Sequence, residues 1–452
     1  MGVRSGLLVK TPLEPWIYNK ISGRVGMAGQ ITRQMIESYQ LHHLKTTLAL
    51  AAERSPYYRR LLTGLALDKI GSLKDLRNIP FTTAADIKAN SMGMLCVSQS
   101  EISRVVTLSS SGTTGRPKRV FFTTTDQELT RDFFRCGMST LVQPGDRVLI
   151  LLPGKAPGGV GRLLAEGLQR MGVHAVPHGI VQDVRKTLEV MERERINALV
   201  GIPTQVLALA RYGPPAQNNY GLSVKNMLLS TDYLPRAIIA AIEKAWNCRV
   251  YNHYGMTEMG LGGGIECQAR SGLHLREADL YFEIINPDSG ENLPDGEEGE
   301  LVFTTLTRQG MPLIRYRTGD LASFIPNPCS CGTVLKRLTR VKDRIEGRVP
   351  LGGGGYLSMS MLDEALFAVD GVINFKAAIA AANGPDRLSI EVQLADWAGR
   401  EVLDQISKSI LSISEIAKNV HQGYLTLAPV QVDRSAVLWP PTKRCIQEPS
   451  LT

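Results

Sequence analysis

Arg147-Val-Leu-Ile-Leu-Leu-Pro153 opens a run in which short apolar stretches and amphipathic stretches take turns. After it come Val160 to Met171, His174-Ala-Val-Pro-His178, Asp183 to Glu194 and Ala198-Leu-Val-Gly-Ile202. The apolar stretches, too short for helices and bounded by breakers, read as buried strands, and the longer periodic ones read as helices. Met227-Leu-Leu-Ser230, a helix through Trp246, and Arg249-Val-Tyr-Asn252 repeat the theme. This alternation predicts parallel strands joined by crossover helices, with ligands bound beyond the carboxyl ends of the strands.

On the amino-terminal side the chain reads as helical. Met35, Ile36, Tyr39, Leu44 and Leu48 fall at helical spacing within Asn19 to Arg54, and Pro56 is expected to end that pattern. After residue 278 the texture changes. Leu280-Tyr-Phe-Glu-Ile-Ile285, Gly299-Glu-Leu-Val-Phe-Thr304 and Leu313-Ile-Arg-Tyr-Arg317 are short β-like runs divided by Pro, Gly and Asp, which predicts an antiparallel region or small barrel. The basic stretch Lys336 to Arg348 and the breaker-rich Pro350-Leu-Gly-Gly-Gly-Gly355 mark a boundary near residues 340–344. The expected fold class is therefore α/β. A large domain (residues 1–340) has parallel and mixed sheets, flanking helices and a small β-barrel-like subdomain, and a small α/β domain (residues 341–452) follows.

The 452 residues are 43% hydrophobic, 21% charged and 6% aromatic, a globular composition that excludes disorder, collagen and coiled coil for the bulk of the chain. Lys and Arg number 51 against 43 Asp and Glu, a net charge of +8 without a run of five or six basic residues. That balance suits a polyphosphate such as ATP or coenzyme A better than nucleic acid. No stretch approaches eighteen uninterrupted apolar residues, so no membrane span is expected. The opening residues lack a signal-peptide pattern, and Gly6 stands where myristoylation wants Ser or Thr. The seven cysteines are odd in number and mostly scattered, as expected of reduced thiols in the cytoplasm.

Two constellations carry chemistry. Thr107-Leu-Ser-Ser-Ser-Gly-Thr-Thr-Gly-Arg-Pro-Lys118 offers hydroxyls from Ser109, Ser110, Ser111, Thr113 and Thr114, and close backbone approach at Gly112 and Gly115. Arg116 and Lys118 add positive charge. Such a stretch can hold a polyphosphate or serve as a polar linker, and it is not a Walker loop. The second constellation is Cys267 and His274, seven apart, with the pair Cys329 and Cys331. Three thiolates and an imidazole would close a tetrahedral zinc site; the alternative is buried free thiols beside an exposed histidine.

Four ordered motifs resemble those of the adenylate-forming enzymes, which include acyl-CoA synthetases, luciferases and adenylation domains. Ser110-Ser-Gly-Thr-Thr-Gly-Arg-Pro-Lys118 is similar to their phosphate loop, and Tyr254-Gly-Met-Thr-Glu258 to their Tyr-Gly-x-Thr-Glu segment. Tyr316-Arg-Thr-Gly-Asp320 matches a third signature, and Arg340-Val-Lys-Asp343 resembles the hinge, with Thr339 in place of glycine. Glu266 to His274, Glu283 to Gly290, Gly299 to Thr307, Cys329-Ser-Cys-Gly332 and Ser55-Pro-Tyr-Tyr58 resemble the phenylacetate–CoA ligase branch. The resemblance covers residues 50–345 well and the remainder weakly.

The resemblance implies an ATP-dependent carboxylate–thiol ligase that makes an acyl-adenylate and then a thioester. Ser109 to Lys118 would hold the β- and γ-phosphates, Glu258 would bind Mg²⁺, and Thr257 would touch the α-phosphate. Asp320 would accept the ribose hydroxyls and Arg340 would support ribose or phosphate. Asn252, His253 and Tyr254, with Ser230, Thr231 and Asp232, would line the adenine site. The branch also implies zinc at Cys267, His274, Cys329 and Cys331. Taken alone, Asp320 would read as a turn residue and Glu258 as a solvated side chain. Lys443, in Pro440-Pro-Thr-Lys443, stands for the lysine of a mobile C-terminal domain, though it lacks the usual preceding glycine. Gly352 to Gly355 departs from the passage that lines the family's thiol tunnel.

Phe133, Phe134, Gly201, Ile202, Pro203 and Gly260 are the expected pocket for an aromatic or other compact acid. The thiol acceptor is coenzyme A or a carrier protein. An amine acceptor and a catalytically degraded nucleotide-binding scaffold are the rival readings, and the oligomeric state is left open, a dimer included.

Overall fold

The structure is a computed structural model that describes residues 9–23, 29–108, 117–154, 156–212, 222–382, 384–433, 437–441 and 444–447. The chain divides into two compact units. The first comprises Met1–Thr140, Ala156–Met171 and Asn252–Val341, and the second Leu141–Lys155, Gly172–Tyr251 and Lys342–Thr452. One division between the units falls between Val341 and Lys342.

In the second unit His174–Pro177, Arg147–Leu151, Ala198–Gly201 and Asn226–Leu229 lie side by side in that order, all parallel. Leu149, Leu151 and Leu199 are fully buried, as strands covered on both faces require. The helices Val184–Arg193, Pro203–Ala210 and Arg236–Trp246 follow their strands as the alternation predicts. Asp183 caps the first by accepting the Lys186 N–H at 3.0 Å. The C-terminal part is built on the antiparallel pair Val372–Ala382 and Gly384–Leu394, with Ile446–Gln447 along one edge. Its Phe367 and Phe375 share one apolar core with Leu207 and Leu229.

The first unit begins with helices. Asn19 to Arg54 is not continuous: Leu13–Ser22 ends at Gly23 with φ 66°, and Arg33–Arg54 starts anew at the Thr32 cap. The helix Arg33–Arg54 ends just before Pro56, as expected, and Pro56 also opens the next one, because at the first position its missing N–H costs nothing and Ser55 caps it. The hairpin Ile102–Leu108 with Lys118–Thr123 leads into helix Thr124–Met138. Helix Val160–Gln169 packs on that helix, with Gly167 close against the Arg131 carbonyl.

The antiparallel region is an open three-stranded sheet of Leu280–Ile285, Gly299–Thr305 and Tyr316–Ala322. Its third strand starts at Tyr316, not at Leu313, because Arg315 takes φ 47° and breaks the extended run. None of the described helices is long and apolar enough to cross a membrane.

Candidate active site

A second antiparallel ladder in the first unit orders the candidate residues. Tyr254 and His253 pair with Gly264 and Ile265, Ile265 pairs with His274, and His274 pairs with Arg337. One set of backbone hydrogen bonds therefore runs from the Tyr-Gly-x-Thr-Glu segment through the cysteine–histidine set to within three residues of Arg340.

Glu258 lies in the single turn Thr257–Met259 and is 2% exposed. Its carboxylate is ion-paired with the Lys118 ammonium and accepts the Tyr316 hydroxyl at 3.3 Å. Lys118 also reaches the Tyr316 oxygen at 3.4 Å. A carboxylate this deeply buried needs such compensation, since isolation from water would otherwise neutralise it. Gly260 follows with φ 76°, and its carbonyl accepts Thr130 Oγ1 at 2.9 Å. Arg308, stacked 4.8 Å from the Phe122 ring, is pushed down to about 10, chiefly by burial.

Asp320 accepts the Tyr254 hydroxyl at 2.7 Å, and its own N–H donates to Thr318 Oγ1 at 3.0 Å. The turn before it is held by Glu300, which accepts the Gly319 N–H at 2.9 Å and is ion-paired with Arg317. Gly319 has φ 73°, a backbone conformation that glycine takes freely. Asn252 is buried, and its N–H donates to Glu266 at 2.9 Å. Arg340 lies 3.7 Å from the same carboxylate.

His253 is partly buried among Phe133 and Phe134, with ring centroids 6.2 and 6.3 Å away. Burial, helped by the Arg276 cation, pushes it down to about 4, so the imidazole is neutral at physiological pH. Phe133 lies against the bare Cα of Gly262, where any side chain would run into the ring. Arg276 covers another side of Phe133, 5.0 Å from its centroid.

Cys267, His274, Cys329 and Cys331 are all buried, with ligand atoms within 4.8 Å of one another. Cys267 Sγ is 3.7 Å from Cys329 Sγ, and Cys331 Sγ is 3.6 Å from His274 Nε2. The exposed histidine of the alternative reading is not found: His274 is fully buried.

Gly201, Ile202, Pro203, Ser230, Thr231 and Asp232 belong to the second unit. The first three join strand Ala198–Gly201 to helix Pro203–Ala210, and the other three follow strand Asn226–Leu229, at the carboxyl ends where ligands are expected. Thr231 takes φ 79°, unusual for a β-branched residue. Ser109, Ser110, Ser111, Gly112, Thr113, Thr114, Gly115 and Lys443 lie outside the described residues. Tyr316, Glu266 and Glu300 escaped the sequence reading as site residues. All three stood inside quoted stretches, but nothing local marks their roles, because their partners lie elsewhere in the chain.

A family model for AMP-binding enzymes matches residues 83–307. A phenylacetate–coenzyme A ligase of Aromatoleum evansii is 32% identical over 330 residues, 70% of this chain and 72% of that one. Another, from Thermus thermophilus, is 29% identical over 388 residues, 83% of this chain and 85% of that one. Among solved structures, 2-hydroxyisobutyryl-CoA ligase in its postadenylation state is alike with a TM-score of 0.78. The match covers 93% of this chain and 91% of that one at 20% identity, a likeness of fold.

Proposed function

The chain belongs to the phenylacetate–CoA ligase family of AMP-binding, adenylate-forming enzymes, and from that premise we propose that it joins an aromatic or other compact carboxylic acid to coenzyme A. ATP is the co-substrate. A carboxylate oxygen attacks the α-phosphorus as the bond to pyrophosphate breaks; the acceptor thiolate then attacks the acyl carbonyl and AMP leaves. The observation that carries this reading is the pairing of Glu258 with Lys118 and Tyr316 in the same unit as the Tyr254–Asp320 hydrogen bond.

Catalysis of nucleotidyl transfer is mostly positioning and charge neutralisation. Ser109 to Gly115 and Lys118 bind the β- and γ-phosphates. Asp320, oriented by Tyr254, accepts the ribose hydroxyls. Asn252, His253 and Tyr254 frame the adenine, Thr257 meets the α-phosphate, and Arg340 supports the ribose. The Glu258 carboxylate offers a hard oxygen ligand that suits Mg²⁺, which supplies charge neutralisation to the phosphates when bound. The Lys443 ammonium offsets the charge that develops at the α-phosphate.

Phe133, Phe134 and neutral His253, with Gly260, select a compact apolar acid. None of them offers a second cation to a longer polar substrate. The cysteine–histidine set fits a closed zinc site. Zinc–sulfur bonds of about 2.3 Å at tetrahedral angles place two sulfurs about 3.8 Å apart, close to the separation of Cys267 and Cys329. Zinc there would brace the ladder, with no open position for chemistry.

The test is pyrophosphate release over a panel of aryl and short-chain acids, with and without coenzyme A. Acid-dependent release with acyl-CoA formation is expected. Release without acyl-CoA would assign the acceptor to a carrier protein or an amine. No release from any acid would leave a nucleotide-binding scaffold.

A further inference from the structure

We propose that Glu266 is a positioning residue for the nucleotide site: one buried carboxylate holds both the Asn252 backbone and the Arg340 guanidinium, beside the cysteine–histidine set. The inference rests on the nucleotide reading above and adds to it a residue to which that reading gave no role.

Glu266 is 1% exposed and ends the short strand Gly264–Glu266. One carboxylate oxygen accepts the Asn252 N–H at 2.9 Å; the other faces Arg340 Nη2 at 3.7 Å. These two partners lie 88 positions apart in sequence, and both are in the candidate nucleotide set. A buried carboxylate with one backbone donor is under-compensated, so the arginine is drawn to it, and the arginine in turn is oriented by it. Among the described residues Arg340 Nη1 is buried and makes no hydrogen bond. Glu266 thus faces one edge of the guanidinium by charge alone, and Nη1 on the other edge is a buried donor left unsatisfied.

The carboxylate is also fixed from behind. Cys267 is the next residue, Glu266 pairs with Leu273, and Ile265 pairs with His274, so the strand bearing Glu266 cannot shift without moving two members of the cysteine–histidine set. Order at that set is thereby relayed to Arg340 through a single side chain. This gives the set a consequence for nucleotide binding although it lies away from the phosphates.

The test uses the full chain and binding of ATP with Mg²⁺, measured by calorimetry, together with separate KM values for ATP and acid. Glu266→Gln keeps an acceptor for the Asn252 N–H but removes the charge facing Arg340. It should weaken ATP binding and raise KM for ATP about tenfold, with the acid KM and the zinc content unchanged. Arg340→Gln should weaken ATP binding by at least as much, and the double variant should be no weaker than Arg340→Gln alone. Should Glu266→Gln fail to fold, Glu266→Asp, which keeps the charge but withdraws it by one methylene, should show the same selective loss.

Unchanged ATP affinity in the Glu266 variant, strictly additive losses in the double variant, or equal rises in both KM values would overturn the proposal. The failure of the underlying reading looks different. In that case wild-type protein binds no ATP, or Asp320→Ala binds it as well as wild type does.

Discussion

The Lys118 ammonium and the Glu258 carboxylate are ion-paired, and the Tyr316 hydroxyl lies 3.3 Å from the carboxylate and 3.4 Å from the ammonium. The last residue of the phosphate-loop motif therefore meets the proposed magnesium ligand 140 positions later in the chain. Removing one partner of a buried pair leaves an uncompensated charge and costs about 3–5 kcal/mol. Lys118→Met should accordingly lower the unfolding free energy in urea as well as adenylation. Glu258→Gln should cut acid-dependent pyrophosphate release by about a hundredfold or more. Near-wild-type release by Glu258→Gln would remove the carboxylate from the mechanism.

Tyr254 donates to Asp320 at 2.7 Å. Hydrogen bonds to charged groups contribute about 1.5–3 kcal/mol, so Tyr254→Phe should raise KM for ATP roughly tenfold to a hundredfold while the acid KM stays put. A rise confined to the acid would place Tyr254 in the other subsite.

Gly262 gives way to the Phe133 ring. Gly262→Ala must displace that ring, and overpacking of this kind costs about 1–3 kcal/mol. The expected outcome is a lower melting temperature and a changed order of preference among aryl acids in the pyrophosphate assay. An unchanged order would show that Phe133 does not shape the acid pocket.

His253 sets a pH dependence. Burial lowers its pKa from 6.5 to about 4 in the folded protein, so between these values the unfolded chain binds more protons. Stability through this residue is present above about pH 6.5 and is lost as pH falls towards 4. The unfolding free energy of wild type minus that of His253→Asn should shrink over that window. A difference independent of pH would contradict the lowered pKa.

The cysteine–histidine set predicts one zinc per chain by elemental analysis. Chelation, or Cys331→Ala, should release the metal and lower the melting temperature, because a structural site contributes its binding free energy to folding. Protein without zinc, whose four ligand residues are all freely alkylated, would defeat the assignment.

Much of this was open to reading in the chain itself. The run from Arg147 to Asn252 alternates apolar and amphipathic stretches because parallel strands buried on both faces and one-faced helices impose different periods. Those periods survive in the sequence as Arg147–Leu151 or Val184–Arg193. Glu258 and Asp320 could be found because each lies inside a contiguous motif. Arg315 was misjudged for a local reason. A positive φ at a non-glycine residue leaves no compositional trace.

By itself the sequence determined the α/β class, the family, the order of the motifs and the residue types fit for phosphate, ribose and metal. These depend on periodicity and on neighbours along the chain. Only the tertiary structure decided that Lys118 meets Glu258, that Glu266 faces both the Asn252 N–H and Arg340, and that Phe367 and Phe375 share a core with Leu207 and Leu229. Each is a pairing across tens to hundreds of residues. Its energy comes from burying charge or apolar surface against a partner that sequence spacing does not specify.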